Sequence, residues 1–368
     1  MVREDLKKAK RIVIKIGTSV LVGKGLEIDK SWMKDFIAEI TGLIKKGYEV
    51  ILVSSGAIAQ GMHLSGLKKR PKSLPEQQAC AAIGQCYLVN MYDSYLKKSG
   101  FHAGQILLTW EDIRDRRRYL NAENTIHTLI SKKAVPIINE NDTVSVDEIK
   151  FGDNDMLSSL VANLVGADLL IMLTDVDGFY SDGKKLCIDV VKEIDVNIEK
   201  IACGTDKECS LGGMRAKLEA CKIAMFSGVN CVIANGRKKG IISKVLKGEK
   251  VGTLFIPKST KMQARKRWIA YNAKTEGKIT VDDGAKEALI KKNTSLLAIG
   301  VKNIEGKFLY GDVVSVLSSD GKEFAKGLSN YSSEDLSKIK GLNTRDAEKM
   351  ITNNFYQEVI HRDNLVVI

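Results

Sequence analysis

The chain of 368 residues is poor in the features that would tie it to an oxidising compartment or a membrane. Its seven cysteines form no Cys-x-x-Cys pair, and the odd count suits neither a disulfide framework nor a zinc site, so a reducing cytoplasm is the expected home. Histidine is scarce, with four residues and no His-Glu-x-x-His pair, so no zinc-hydrolase signature is present. No apolar run approaches the ~20 residues that span a bilayer. The opening MVREDLKKAK is charged, and the apolar run after it is broken by Lys15, too short and too polar for a signal peptide. A phosphate-binding Gly-x-x-x-x-Gly-Lys loop is also missing: GLIKKGY and GAIAQGM have its glycine spacing without its lysine.

What is present is ordinary in bulk, with 44% hydrophobic and 28% charged residues, and long enough for about two domains at ~150 residues each. The net charge of +12 suggests an anionic partner. Most of the excess, +9, lies in residues 1–262, with a basic knot at KSTKMQARKR (258–267), while the remaining residues carry only +3. A solvated surface accounts for most of it, and a phosphate-bearing ligand would use the rest.

One pattern recurs: an amphipathic helical stretch, a glycine or basic stop, an apolar strand, then a small polar loop. It appears in LIKKGYEVILVSSG, LKKSGFHAGQILLT, LISKKAVPIINEND, LVGADLLIMLTD and AMFSGVNCVIANG, and RIVIKIG opens the series. Glycine just past a helix is a C-cap signal, and continuous apolar runs read as strands buried on both faces. The fold class predicted is α/β, a doubly wound and mostly parallel sheet covered by helices on both sides. Ligands bind such sheets beyond the carboxyl ends of the strands. That directs attention to the loops GTSVL, SSGAIAQG, NENDTV and TDVDGFY. After VGTLFIPKS the pattern changes to short strands, one helix and glycine turns. The expected organisation is a first domain over 1–258, a basic linker over 259–274, a smaller β-rich domain over 275–355 and a tail over 356–368.

Three places carry chemistry. Lys15 stands inside an apolar strand before GTS; it is either an edge lysine reaching water or a cation held beside a glycine that admits phosphate to the backbone. In SLGGMRAKLEACKIAM (210–225) two glycines open a helix whose first turn holds Arg215 and Lys217, at the end where the helix dipole disfavours cations. That penalty is only ~0.3–1 kcal/mol, and an anion bound there would reverse its sign. Finally, IINENDTVSVDEIKFGDND (137–155) packs six carboxylates and three asparagines into a basic chain. One of Asp153, Asn154 and Asp155 suffices to cap the following helix, so three in a row exceed a structural need. No glycine or twelfth-position glutamate follows at calcium-loop spacing. Amides and carboxylates at strand ends suit an amino-acid ammonium group and the orientation of nearby lysines.

The segments VIKIGTSVL, VSSGAIAQG, INENDTV, EIKFGDND, LTDVDGFY and GGMRAK occur in the order and spacing of the glutamate 5-kinases, a group of amino-acid kinases that the chain resembles over residues 12 to about 255. The tail, with VDDGAKEAL, SLLAIGV and GKFLYGDVV, resembles a PUA domain. The resemblance implies ATP-dependent phosphorylation of the side-chain carboxylate of L-glutamate to L-glutamyl 5-phosphate, the first step toward proline, with proline as an inhibitor. It implies Lys15 and Lys217 at the transferring phosphoryl group, oriented by Asp155. Glutamate would meet Ser55, Gly56, Asn139, Asp142, Asp153 and Asn154. ATP would meet Lys15, Gly17, Thr18, Thr174, Asp175, Leu211, Gly212, Gly213, Met214, Arg215, Ala216 and Lys217, with Mg²⁺ carried on its phosphates and no protein metal ligand. Where the family usually has threonine before GGM and before the lysine, this chain has Leu211 and Ala216, so two hydroxyls that would donate to phosphate oxygens are absent. A homo-oligomer, dimer or tetramer, is implied as well. Other acceptors of the same fold compete, namely acetylglutamate, aspartate, carbamate and nucleotides. The rival from another class is RNA binding through the PUA-like tail; the tail's weak charge and its lack of an aromatic-rich basic patch argue against it.

Overall fold

The computed structural model describes residues 2–23, 26–145, 154–181, 187–203, 213–257, 266, 269–270, 274–351 and 356–368. Asp153, Leu211 and Gly212 lie outside these described residues, as does most of the 259–274 linker. The chain divides into two compact units. The first comprises Met1–Asp112 with Arg117–Lys261, and the second Met262–Ile368 with Ile113–Arg116.

The larger unit is built on eight strands: β1 (Arg11–Ile16), β2 (Glu49–Ser54), β3 (His102–Leu108), β4 (Ala134–Glu140), β5 (Leu169–Thr174), β6 (Val190–Val191), β7 (Asn230–Asn235) and β8 (Thr253–Phe255). Their order in the sheet is β3-β4-β2-β1-β5-β7-β8-β6. Every pairing is parallel except β7 with β8. β1 lies between β2 and β5, so the chain leaves β1 toward one side and returns to its other side with β5. This reversal opens a crevice at the carboxyl ends, the usual ligand position in open α/β sheets.

Ile12, Ile14 and Ile16 of β1 join a core with Met33, Phe36 and Ile40 of the helix Lys30–Lys45 and Leu88 and Tyr92 of the helix Leu74–Lys97. Side chains alternate across a strand, so Val13 and Lys15 face the other side of the sheet. There the helices Asn154–Leu164 and Met214–Phe226 pack against each other, and the first of them against β1. Lys15 is therefore no edge lysine: it sits in a central strand and is 3% exposed.

The helices Ala57–Leu64 and Leu74–Lys97 meet backbone to backbone. A Cβ on Gly61 would fall 1.8 Å from the Cys80 carbonyl oxygen, and one on Gly84 would fall 1.8 Å from that of Ala57. The last glycine of GAIAQG thus serves helix packing. The first, Gly56, has φ +98 and turns the chain sharply from β2 into its helix.

The smaller unit has a five-stranded sheet in the order β10-β9-β11-β12-β13, from β9 (Thr275–Val281), β10 (Val301–Gly306), β11 (Val313–Leu317), β12 (Glu323–Leu328) and β13 (Leu365–Val367). Among the described residues the α-helices Asp283–Lys292, Ser333–Ile339 and Thr344–Met350 accompany it, where the sequence pattern suggested one helix. Each is capped from its own sequence: Asp282, Ser332 and Asn343 each accept a backbone N–H three residues on. The final residues are more than a tail. β13 pairs with β12, and Val359, Ile360 and Leu365 lie in this unit's core.

Candidate active site

A cleft of about 540 Å³ opens at the carboxyl ends of β1, β2 and β4. Its walls include Lys15, Gly17 and Thr18 after β1, Ser55 and Gly56 after β2, Asn139 and Asp142 around the end of β4, Asn154, and Lys217. Residues far apart in sequence meet there because parallel strands deliver all their following loops to one edge of the sheet.

At the head of the cleft two ammonium groups converge on one carboxylate. Lys15 Nζ lies 2.6 Å from Asp155 Oδ1, and Lys217 Nζ donates to Asp155 Oδ2 at 3.0 Å. Asp155 is fully buried in the first turn of its helix, and Lys15 and Lys217 keep little exposure. Burial pushes the Asp155 carboxyl up, but the Lys15 and Lys217 ammonium groups outweigh it and hold it below the ordinary carboxylate range. The carboxylate is thus ionised and fixes two long, flexible lysines in place. Gly17 keeps the approach open: its N–H donates to the Leu173 carbonyl at 3.1 Å, and a Cβ there would crowd that oxygen at 3.1 Å and come 3.9 Å from Lys15 Nζ.

The second group is a buried amide cluster. Asn154 Nδ2 donates to the Ser54 carbonyl at 2.8 Å, to Ser55 Oγ at 3.1 Å and to Asn139 Oδ1 at 2.7 Å. Asn139 Nδ2 donates in turn to Gln85 Oε1 at 2.8 Å. Beneath it Ser54 Oγ and the Tyr92 hydroxyl share a 2.9 Å hydrogen bond, and burial pushes the Tyr92 phenol up, so it stays neutral. Asn141 serves the local turn, its carbonyl accepting from Val144 N and Ser145 N, while Asp142 faces the cleft.

The structure thus brings together Lys15, Asp155 and Lys217, and also Ser55, Asn139 and Asn154, with Gly17, Thr18, Gly56 and Asp142 on the same walls. Thr174 and Asp175 stand at the end of β5, hydrogen-bonded to each other at 3.0 Å and not among the residues lining this cleft. Gly213 is the N-cap of the helix that carries Met214, Arg215, Ala216 and Lys217 in its first turn. Sequence reasoning missed Gln85, which reaches the site from the middle of a long helix, and Lys68 and Arg70, which line the cleft from an exposed loop. The run LKKRPK was a visible basic signal for the loop; Gln85 had none.

Residues 10–235 match the amino acid kinase family. The chain belongs to that family. Residues 277–351 of this amino acid kinase match the PUA domain. The glutamate 5-kinase of Thermoanaerobacter sp. (strain X514) is 46% identical over 363 residues, covering 97% of this chain and 98% of that protein. That of Caldanaerobacter subterraneus subsp. tengcongensis is 47% identical with the same coverage. That of Dehalococcoides mccartyi (strain ATCC BAA-2266 / KCTC 15142 / 195) is 47% identical over 98% of each chain. Among the described residues no helix is long and apolar enough to cross a membrane.

Proposed function

We propose that this amino acid kinase transfers the γ-phosphoryl group of ATP to the side-chain carboxylate of L-glutamate, giving L-glutamyl 5-phosphate and ADP. The observation that carries the reading is the pair of lysines on one buried carboxylate at the head of a polar cleft. A carboxylate oxygen attacks the γ-phosphorus while the bond to the β–γ bridging oxygen breaks, and ADP leaves with that electron pair. The acceptor is already ionised at neutral pH, so no proton moves and no general base is required. What remains is to bring one anion up to another and to stabilise charge in transit, which is work for positioned cations. Lys15 and Lys217 meet that requirement, and Asp155 keeps both aimed. Among the described residues no group of three or more His, Cys, Asp or Glu is placed to hold a metal. Mg²⁺ would arrive bound to ATP and would neutralise phosphate charge there.

Acceptor recognition is assigned to Ser55, Gly56, Asn139, Asp142, Asp153 and Asn154, and nucleotide recognition to Lys15, Gly17, Thr18, Thr174, Asp175 and residues 211–217. The names of the relatives support glutamate as acceptor. Trapping the acyl phosphate with hydroxylamine, across glutamate, N-acetylglutamate, aspartate and carbamate, tests this: faster turnover of any acceptor other than glutamate would sink it. The product is proposed to feed proline synthesis, with proline as inhibitor at the acceptor site. Proline shares glutamate's α-carboxylate and ammonium centre but lacks the carboxylate that reacts. Over a grid of both ligands, inhibition should weaken as glutamate rises; proline that lowers only the maximal rate rules out a shared site. Kinase chemistry is assigned to residues 1–258 and the PUA domain to about 275 onward.

A further inference from the structure

We propose that Gln85 is a positioning residue of the acceptor site, anchoring a chain of amides that makes Asn154 present a carbonyl oxygen, and so selects ligands with a protonated amino group. The proposal rests on the reading of the cleft as an amino-acid kinase site. Gln85 projects from the helix Leu74–Lys97, more than fifty residues from Asn139 in sequence, and is 7% exposed. Its Oε1 accepts from Asn139 Nδ2, and Asn139 Oδ1 accepts from Asn154 Nδ2, so the three amides run head to tail.

The direction of this chain is fixed by backbone groups. Asn139 Oδ1 also accepts from the Glu140 N–H at 2.9 Å, which sets that amide with its NH₂ toward Gln85. Asn154 Nδ2 also donates to the Ser54 carbonyl, which cannot reverse its role. With its two N–H bonds shared among three acceptors, Asn154 is left with Oδ1, a buried acceptor that has no hydrogen-bond partner among the described residues. Asn154 is itself 6% exposed and lines the cleft together with Asp142. An unmatched buried acceptor is costly unless a ligand supplies a donor. An acceptor oxygen and a carboxylate on the same cleft suit an ammonium group.

Among the described residues Gln85 is the acceptor for the Asn139 side-chain NH₂, and Asn139 is 2% exposed. Remove that acceptor and Asn139 gains by turning its NH₂ elsewhere, which sets it against the NH₂ of Asn154. The direction of the whole chain then loosens, and the oxygen offered to the ligand goes with it.

The test uses the full chain and hydroxamate trapping, with L-glutamate as substrate and glutarate, which lacks the amino group, as competing ligand. Gln85→Met keeps the size and removes the acceptor, whereas Gln85→Glu keeps an acceptor oxygen. Gln85→Met should raise the KM for glutamate at least ~10-fold, the scale of losing a hydrogen bond to a charged group. Its kcat and its KM for ATP should stay within about threefold of the parent, because the ammonium group takes no part in the transfer. The ratio of glutarate's inhibition constant to the glutamate KM should fall by the same factor, and Gln85→Glu should restore most of the glutamate KM. If Gln85→Met fails to fold, Gln85→Asn, one methylene too short to reach Asn139, replaces it. An unchanged glutamate KM, or a loss shared equally by kcat and the KM for ATP, overturns the proposal while leaving the kinase reading intact. A parent enzyme that forms no hydroxamate from glutamate overturns both.

Discussion

Replacing Asp155 by asparagine removes a fully buried charge that holds two ammonium groups, at 2.6 and 3.0 Å. Breaking a buried ion pair by deleting one partner costs about 3–5 kcal/mol, because the other charge stays buried without compensation. Here two charges are left, although Lys217, with 13% of its side chain exposed, still reaches some water, which keeps the loss within that range. For a unit of this size each kcal/mol lowers the melting temperature by roughly 2–4 °C, so Asp155→Asn should melt on the order of 10 °C lower. Mg-ATP should recover more stability in the variant than in the parent, since phosphate oxygens supply the missing negative charge, and a ligand bound only to the folded state stabilises it by mass action. With the lysines no longer aimed, kcat should fall at least ~100-fold, the scale of losing a preorganised electrostatic donor. The pH dependence has a definite sign. The folded-state pKa of Asp155 lies below the ordinary 3.8, so its contribution is present above that value and disappears as pH falls through the lower, folded-state one. The stability gap between parent and variant should therefore hold steady from pH 8 to 5 and close only below about pH 4. Differential scanning calorimetry with and without Mg-ATP reads the stability changes, and steady-state hydroxamate formation reads kcat. A variant that melts with the parent, or that gains no more than the parent from Mg-ATP, would refute the assignment of Asp155 as the lysines' counter-charge.

Three further outcomes are expected. Lys15→Ala and Lys217→Ala should each lower kcat at least ~100-fold while moving the substrate KM values far less, measured by steady-state hydroxamate formation; near-normal kcat in either folded variant removes it from the chemistry. Gly84→Ala places a methyl 1.8 Å from the Ala57 carbonyl oxygen, so two helices must part. A cost of about 3 kcal/mol by denaturant melt is expected, at the top of the overpacking range, together with a raised glutamate KM, because Ala57 lines the cleft. A chain ending near residue 258 should fold and keep kinase activity, whereas soluble, folded and inactive protein would contradict the assignment of chemistry to the larger unit.

The sequence alone determined the alternating α/β character, the mostly parallel sheet, several of the loops that line the cleft and the presence of a second, smaller β-rich unit. These are local properties: continuous apolar runs and glycine stops follow from how strands are buried and helices end within a few residues of themselves. The excess of carboxylates and amides over residues 137–155 was readable for the same reason, since it exceeds what capping needs. Tertiary structure decided the rest. Whether Lys15 snorkelled or was buried depended on β1 lying between β2 and β5, a sheet order no local pattern encodes. Gly61 looked like half of a phosphate loop and proved to be a helix contact, because its neighbour Cys80 arrives from a different helix. The closing strand Leu365–Val367 was read as tail since three residues carry too little periodicity to declare a strand; its pairing with β12 defines it. Gln85 had no signal at all: one amide on a 24-residue helix acquires its role only where the fold sets it 2.8 Å from Asn139.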